Sequence, residues 1–321
     1  MRNKIIIITG DPNSINSEII YKCWKNIDKS TKKKIYFVSN KRLLQSQFKS
    51  LGYRISLSQV KNIYEMEDEP CIKILNIDLK FKNPFNVDPK DSSKFIINSL
   101  NLGHKISLND DIQGLINCAI NKNLLKQRGL GVTEFLAKKC NINNNFEVML
   151  IKNKSLSVVP VTTHIDVKRI SLKLNKNLII NKIVTANNWF KKQYKRKPKI
   201  GILGLNPHNA EFRKKSEEVK IIIPSISKLK KNGINVDGPL VSDTIFIQNY
   251  KKYDMIIGMY HDQVLIPFKT LFKFDAINIT LGLKYLRVSP DHGTAVNLIK
   301  KNKADYRSLK KCIEFVKNSK V

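Results

Sequence analysis

The chain alternates short apolar runs with longer segments of helical periodicity, and this alternation limits its possible folds more than any other feature. Uninterrupted apolar runs are typical of parallel strands buried on both faces, and helices between them provide the crossover connections. The sequence therefore predicts an α/β fold with largely parallel sheets. The predicted strands are 5–9, 34–38, 71–77, 115–118, 148–151, 156–161, 199–203, 245–247, 255–259 and 276–280, and the predicted helices are 17–27, 41–51, 92–102, 174–193 and 217–231.

The length and composition allow a large hydrophobic core. With 321 residues, 42% of them hydrophobic, the chain is long enough for two domains. We place one domain at 1–129 together with 278–321, and the other at 130–277. No apolar run approaches the roughly 20 residues of a membrane-spanning helix, and the start lacks the apolar core and cleavage site of a secretory signal. We expect a cytoplasmic protein with no membrane partner.

Five cysteines are scattered along the chain without the CxxC spacing of a zinc or redox motif. We expect them to be reduced and buried, because a free cysteine behaves as a small hydrophobic residue. The members of this set are Cys23, Cys71, Cys118, Cys140 and Cys312.

The formal charge of +32 raises the alternative of a nucleic-acid-binding module. The basic residues, however, occur along the whole length together with many asparagines and isoleucines, and these three residue types share AT-rich codons. Interleaved aromatic residues and recognised binding motifs are not found in the sequence. We therefore favour genome composition as the cause of the charge and expect no specific nucleic-acid partner.

Three of the five histidines stand directly after predicted strands. His164 ends the segment Val161-Thr162-Thr163-His164, His208 ends Leu205-Asn206-Pro207-His208, and His261 lies within Met259-Tyr260-His261-Asp262-Gln263. Functional groups gather at the carboxyl ends of parallel strands, so the three imidazoles could converge. Neutral imidazoles suit zinc and similar ions, but the spacing alone leaves open that each is a hydrogen-bonded loop histidine.

These segments belong to a series of uncommon motifs that occur in one order, and with them the chain resembles the 4-hydroxythreonine-4-phosphate dehydrogenases, NAD-linked enzymes of vitamin B6 biosynthesis. The likeness runs nearly from end to end. The other motifs are Gly10-Asp11-Pro12, Thr133-Glu134-Phe135-Leu136-Ala137, Gly238-Pro239-Leu240 with Asp243-Thr244, Asn278-Ile279-Thr280-Leu281-Gly282-Leu283, Arg287, and Asp291-His292-Gly293-Thr294-Ala295.

The resemblance implies two α/β/α subdomains of the isocitrate and isopropylmalate dehydrogenase type, with the active site in the cleft between them. It also implies a homodimer whose metal site is shared across the interface. His164, His208 and His261 match the metal-binding histidines. Residues matching those that bind substrate are Thr133, Lys269, Asn278 and Arg287. A lysine and an arginine can meet phosphate or carboxylate charge, while threonine and asparagine can orient neutral oxygens.

The implied reaction is metal-dependent oxidation of a secondary alcohol by NAD or NADP, followed by decarboxylation of a small phosphorylated hydroxy-amino acid. Asp243 and Asp262 are candidates for carboxylates that orient the imidazoles, or else cap helices. Lys122 and Asp243 are candidates for proton transfer. The divalent ion stays open among zinc, magnesium, cobalt and manganese.

The nicotinamide site has no GxGxxG signature in this sequence. The resemblance assigns it instead to a loop that contains Asp291, His292 and Gly293. His292 would stack on the cofactor or hydrogen-bond to it there, or else cap the helix that follows.

The sequence departs from the family pattern at three places. Val132 stands where the family has a histidine that contacts substrate, and the stretches 209–215 and 13–17 replace glycine-rich segments. Loss of a polar contact can change substrate choice. A paralogue acting on 4-phospho-threonate or 4-phospho-erythronate is therefore an alternative, although we favour a divergent lineage with the family's own substrate.

Overall fold

A computed structural model describes residues 3–65, 71–128, 131–142, 146–273 and 275–320. Its contacts divide the chain into two compact units. The first comprises Met1–Asn141 and Leu283–Ser319, and the second comprises Ile142–Gly282 and Lys320–Val321. Residue 130, where the sequence places a domain boundary, lies outside the described residues. The chain is of mixed α/β class, as predicted.

The first unit contains a parallel sheet with helices. Its strands run in the order β3-β4-β2-β1-β5-β12, and all five neighbouring pairs are parallel. The strands are β1 (Lys4–Ile8), β2 (Ile35–Ser39), β3 (Leu57–Val60), β4 (Ile72–Asn76), β5 (Ile112–Asn117) and β12 (Arg287–Pro290), and the helices are α1 (Asn16–Lys25), α2 (Lys29–Lys34), α3 (Lys41–Ser50), α4 (Pro89–Ser107), α5 (Val132–Lys139) and α11 (Arg307–Lys317).

The second unit has a mixed sheet in the order β11-β6-β7-β10-β8-β9. Strand β6 pairs antiparallel with both β11 and β7, whereas the pairs β7–β10, β10–β8 and β8–β9 are parallel. The strands are β6 (Val148–Lys152), β7 (Ser157–Thr162), β8 (Ile200–Leu203), β9 (Val236–Leu240), β10 (Met255–Tyr260) and β11 (Ile277–Leu281), and the helices are α6 (Ile170–Lys173), α7 (Lys176–Tyr194), α8 (Ile223–Lys231), α9 (Ser242–Gln248) and α10 (His261–Phe272).

The apolar runs become central strands because both of their faces are covered. Ile5 to Ile8 are at most 1% exposed, and Met255 to Ile257 are fully buried. Helix starts follow the capping residues in the sequence: the side chains of Asn40 and Asn175 accept hydrogen bonds from the first turns of α3 and α7. All five cysteines are free and buried, which confirms that prediction.

The predicted strand 245–247 is wrong, because these residues lie in helix α9. Ile245 and Phe246 are buried in the core beside Tyr253 and Val264, while Ile247 is 72% exposed. Successive side chains of a helix point in different directions, so Ile245 and Phe246 can face the core while Ile247 faces solvent. The sequence prediction interpreted this apolar run as a strand. Among the described residues, no helix combines the length and the hydrophobicity needed to cross a bilayer.

Candidate functional site

Three adjacent parallel strands of the second unit lead into the histidine segments. His164 follows β7, His261 begins α10 directly after β10, and His208 comes after β8. The strands lie in the order β7-β10-β8, so their carboxyl ends share one edge of the sheet. Such an edge gathers functional groups from segments that are distant in sequence.

The rings of His164 and His261 lie next to each other. Their centroids are 5.5 Å apart and the ring planes are inclined by 39°. Two imidazoles that share one tetrahedral ion through metal–nitrogen bonds of about 2.0 Å have centroids roughly 5 Å apart. The pair therefore fits two ligands of one divalent ion.

Asp262 orients the ring of His261. Its Oδ1 accepts a hydrogen bond from Nδ1 of His261 at 2.6 Å. The lone pair of Nε2 is then available to bind a metal ion. A carboxylate on the far nitrogen is the usual support of a metal-binding imidazole. The alternative role of a helix cap is not found for Asp262 or Asp243, since the N-cap residues of α10 and α9 are Tyr260 and Val241 and neither helix has a side-chain cap hydrogen bond.

His208 opens a left-handed turn that the structure does not join to the other two histidines. Within the described residues, no group of three or more His, Cys, Asp or Glu side chains is placed to hold a metal ion. Within one chain, His164 and His261 are therefore neighbours. The role of His208 as a metal ligand stays a prediction. Asp243 lies exposed in the first turn of α9.

The turn that begins at His208 holds five successive residues, 208–212, at positive φ from 50° to 56°. Left-handed backbone costs roughly 1–2 kcal/mol for each residue with a side chain. Phe212, at φ 55°, is 54% exposed and loses little burial on truncation.

We expect Phe212→Gly to raise the free energy of unfolding by about 1 kcal/mol, measured by urea denaturation, because glycine relieves the left-handed conformation. Leu172→Gly is the matched control: Leu172 is 82% exposed in helix α6, and glycine there should destabilise by about 1 kcal/mol. A loss of stability in both variants would contradict the argument.

Glu218 holds the segment that leads to His208. Its side chain is fully buried, and Oε1 accepts hydrogen bonds at 2.8 Å from the backbone N–H groups of Leu205 and Asn206. Nδ2 of Asn206 also donates to Oε2 of Glu218 at 3.1 Å. Glu218 begins a π-helical turn before α8, a distortion that is frequent at functional sites.

Burial raises the pKa of Glu218, but the hydrogen bonds from Asn206 and Leu205 outweigh it and hold the pKa below its ordinary value of 4.5. The stabilisation by this carboxylate is therefore complete above pH 4.5 and is lost as the pH falls through the folded-state pKa. We expect Glu218→Gln to lower the free energy of unfolding by about 2 kcal/mol at neutral pH. In urea titrations across the acidic range this difference should shrink below pH 4.5. Glu217→Gln, which loses one bond from Asn206, is the control and should cost less.

In the first unit, the buried Arg287 contacts the half-buried Thr133. Arg287 is 3% exposed; its Nε donates to Oδ1 of Asn117 at 2.7 Å and its Nη1 donates to Oγ1 of Thr133 at 3.2 Å. Burial lowers the pKa of Arg287 to about 10, so the guanidinium stays charged at neutral pH. The structure thus brings together two of the four predicted substrate residues. Asn117, at the end of β5, was missed; its only signal is a polar residue that closes an apolar strand.

The other two predicted substrate residues lie in the second unit. Lys269 stands in the last turn of α10, and Asn278 is in β11. Oδ1 of Asn278 is buried and has no hydrogen-bond partner among the described residues. A buried amide oxygen without a donor is costly, which suits a position that a ligand completes.

The predicted cofactor loop follows β12. Nδ1 of His292 donates to the carbonyl oxygen of Gly293 at 2.9 Å, and Nε2 is buried without a partner in the described part of the chain. Burial lowers the pKa of His292, which favours the neutral ring with an accepting Nε2. The short helix that follows begins at Val296 and has no side-chain cap hydrogen bond at its N-cap residue, Ala295, so the capping alternative is not found. The backbone N–H of Asp291 bonds to Ser308 at 3.0 Å.

Lys122, the other proton-transfer candidate, is exposed at the start of a short helix after β5. The segment before it is fixed by Asp11, whose Oδ2 accepts from the N–H of Asn121 at 3.3 Å. Burial raises the pKa of Asp11, against the effect of its backbone hydrogen bonds. Lys122 thus stays a prediction with a defined position in the first unit.

The chain is similar to known enzymes over nearly its whole length. It is 35% identical over 320 residues to the 4-hydroxythreonine-4-phosphate dehydrogenase of Sulfurihydrogenibium sp. (strain YO3AOP1), covering 97% of this chain and 96% of that protein. It is 37% identical to the enzyme of that name from Aquifex aeolicus, covering 95% and 94%. The crystal structure of the Klebsiella pneumoniae 4-hydroxythreonine-4-phosphate dehydrogenase matches with a TM-score of 0.84 and 28% identity over 99% of this chain and 98% of that one. A D-threonate 4-phosphate dehydrogenase from Salmonella typhimurium is 31% identical, covering 96% and 97%.

The fold, together with similarity at this level to dehydrogenases, defines the chain as an enzyme of the dehydrogenase class, and this class implies a nicotinamide cofactor. The model of the pyridoxal phosphate biosynthetic protein PdxA family matches residues 30–316, and the chain belongs to that family.

Proposed function

We propose that this enzyme oxidises 4-phosphooxy-L-threonine with NAD or NADP and decarboxylates the product to 3-amino-2-oxopropyl phosphate, in pyridoxal phosphate biosynthesis. The observation that carries the proposal is the His164–His261 pair, supported by Asp262, in a chain of this family. The two compact units would be the two α/β/α subdomains.

The reaction has two steps. In the first, the secondary alcohol would give up its hydroxyl proton and a hydride and become the ketone of a β-keto acid; a nicotinamide held by Asp291, His292 and Gly293 would accept the hydride. In the second, the bond to the carboxylate breaks, carbon dioxide leaves, and the electron pair stays on the neighbouring carbon until that carbon is protonated. A divalent ion held by His164, His208 and His261 would polarise the oxygen that changes from hydroxyl to ketone.

The chain's own residues bind and orient the substrate. Arg287 and Lys269 carry the positive charges for its phosphate and carboxylate, and the fork of Arg287 is fixed by Asn117 and Thr133. Oδ1 of Asn278 can accept a hydrogen bond from a hydroxyl or ammonium group. Asp243 or Lys122 would take the hydroxyl proton, and Asp262 holds the ring of His261 in one orientation.

The experiment that tests the proposed function measures NADH or NADPH formation by the purified protein with 4-phosphooxy-L-threonine. Zn²⁺, Mg²⁺, Co²⁺ and Mn²⁺ are added in turn. We expect turnover by the wild type and none by His208→Ala. Absence of turnover with every metal and both cofactors would reject the proposal.

A homodimer with a shared metal site is part of the proposal. It is supported by the lack of a three-ligand group within the described residues of one chain. Two large apolar side chains after His164 are also exposed to solvent, Val167 at 74% and Leu172 at 82%.

Co-refolding of His208→Ala subunits with His261→Ala subunits tests the shared site. If the site is shared, each mixed dimer keeps one intact site, so activity should return to roughly a quarter of wild type. Separate sites would give no recovery.

A second candidate substrate, D-threonate 4-phosphate or 4-phospho-erythronate, is favoured by Val132 and by the similarity to a D-threonate 4-phosphate dehydrogenase. Val132 is the first residue of α5, beside Thr133, and its side chain cannot form a hydrogen bond with a substrate. The ratio of kcat/KM for the amino and hydroxy substrates decides between the candidates.

We expect Val132→His to raise kcat/KM for the amino substrate, relative to D-threonate 4-phosphate, by about tenfold or more, because it restores a polar contact. Val132→Ala, which offers no polar group, should leave the ratio unchanged. An equal ratio in both variants would show that this position does not select the substrate.

A further inference from the structure

Both the nitrogen and the oxygen of the Gln263 side-chain amide form hydrogen bonds within the second unit. Its Nε2 donates to the carbonyl oxygen of Gly204 at 2.6 Å and to Oγ of Ser242 at 2.8 Å. Its Oε1 accepts from the backbone N–H of Met259 at 2.7 Å. Two donors and one acceptor are thus engaged with three different segments of the chain.

Each of these three segments carries a residue of the proposed site. Gly204 follows β8 and leads to His208. Ser242 begins α9 and precedes Asp243, and Met259 lies in β10 just before His261. Gln263 therefore joins the three segments through one rigid group.

The close approach of Gln263 to β10 depends on Gly258. A Cβ at position 258 would lie 2.5 Å from Cγ1 of Val264 and 3.1 Å from Oε1 of Gln263. A side chain at position 258 would displace the Val264 side chain and crowd the amide of Gln263. Glycine therefore lets the Gln263 amide lie close to β10.

We infer that Gln263 is a positioning residue that fixes the His208, Asp243 and His261 segments relative to one another. The inference rests on the proposed function for the roles of those three residues. The chemistry requires an amide, because a carboxylate accepts from Met259 but cannot donate to Gly204 or Ser242. Gln263 acts through the segments it holds and does not itself touch the substrate.

The test compares Gln263→Glu with wild type in the full-length protein. Co²⁺ is the probe, since its visible spectrum reports the geometry of its ligands. We expect Gln263→Glu to bind Co²⁺ about 10–100-fold more weakly with an altered spectrum, as for loss of other groups that support metal ligands. We expect kcat to fall while KM for the phosphorylated substrate changes little. Amide hydrogen exchange should quicken around Gly204 and Ser242.

The controls separate positioning from a general effect of charge or unfolding. Gln248→Glu makes the same change on the exposed end of α9 and should match wild type in every measurement. Ser242→Ala removes one of the two bonds from Nε2 and serves if Gln263→Glu does not fold; it should shift exchange and Co²⁺ affinity by a smaller amount.

The outcomes distinguish this inference from the proposed function. A wild type that binds no Co²⁺ and turns over no substrate would reject the proposed function, while the exchange comparison would still decide whether Gln263 joins the segments. Wild-type exchange, Co²⁺ affinity and kcat in both Gln263→Glu and Ser242→Ala would overturn the inference and leave the proposed function intact.

Discussion

His261→Ala is expected to lower kcat/KM by a factor of about a thousand or more and to abolish binding of the divalent ion by the chain. A bound ion that polarises the reacting oxygen contributes several kcal/mol, and each 1.4 kcal/mol corresponds to about a tenfold rate change. Alanine removes one of the two rings that lie 5.5 Å apart and leaves Asp262 without its partner. Isothermal titration with Zn²⁺ and steady-state kinetics measure the two effects.

Asp262→Asn provides the graded comparison. The amide oxygen still accepts from Nδ1 of His261, but the negative charge is lost, so a 10–100-fold loss in metal affinity is expected. His104→Gln is the matched control, because His104 is the one histidine outside the proposed site and its Nδ1 contacts Tyr285 and Cys140. Metal binding by His261→Ala equal to that by His104→Gln would contradict the proposed ligand.

Arg287→Lys is expected to lower kcat/KM about a hundredfold, mainly through a higher KM. An arginine can bond to Asn117, to Thr133 and to an anionic group at once, because its donors lie in a fixed fork. A lysine ammonium has no such fork: its single nitrogen can reach Oδ1 of Asn117 but cannot replace Nη1 at Oγ1 of Thr133 at the same time. Loss of the bond to Thr133 should also cost about 1–3 kcal/mol of stability.

Urea unfolding and kinetics with the phosphorylated substrate test both effects of Arg287→Lys. Arg196→Lys is the control: the Arg196 side chain is 58% exposed and bonds to Asp254 through two nitrogens, so the variant makes the same change in an arginine that is not a predicted substrate residue. It should retain wild-type kinetics. An unchanged KM in Arg287→Lys would remove Arg287 from the substrate site.

The sequence predicts those strands that are buried on both faces, because such strands consist of uninterrupted apolar residues. Strands β1, β7 and β10 fall at their predicted places because they are covered on both faces. Strand β9 contains Gly238 and Pro239, and β12 begins with the buried Arg287, so neither reads as an apolar run. Both were missed for that reason.

The candidate site was predictable to the extent that strand ends indicate it. The neighbouring positions of His164 and His261, and the contact of Thr133 with Arg287, agree with residues chosen from the sequence. The roles of Glu218 and Gln263 depend on hydrogen bonds to backbone groups far away in the chain, which no local pattern contains. The assignment of ligands and substrate contacts stays a prediction.

The parallel pairing of β7, β10 and β8 also determines when in folding an ion can be captured. These strands are separated by long stretches of chain, and pairings of this kind form slowly because distant segments must first meet. In an unfolded chain the histidines would be too far apart to chelate together. The ion should therefore join a sheet that has already formed, and a chelator should strip it from this enzyme without unfolding the polypeptide, unlike a zinc finger.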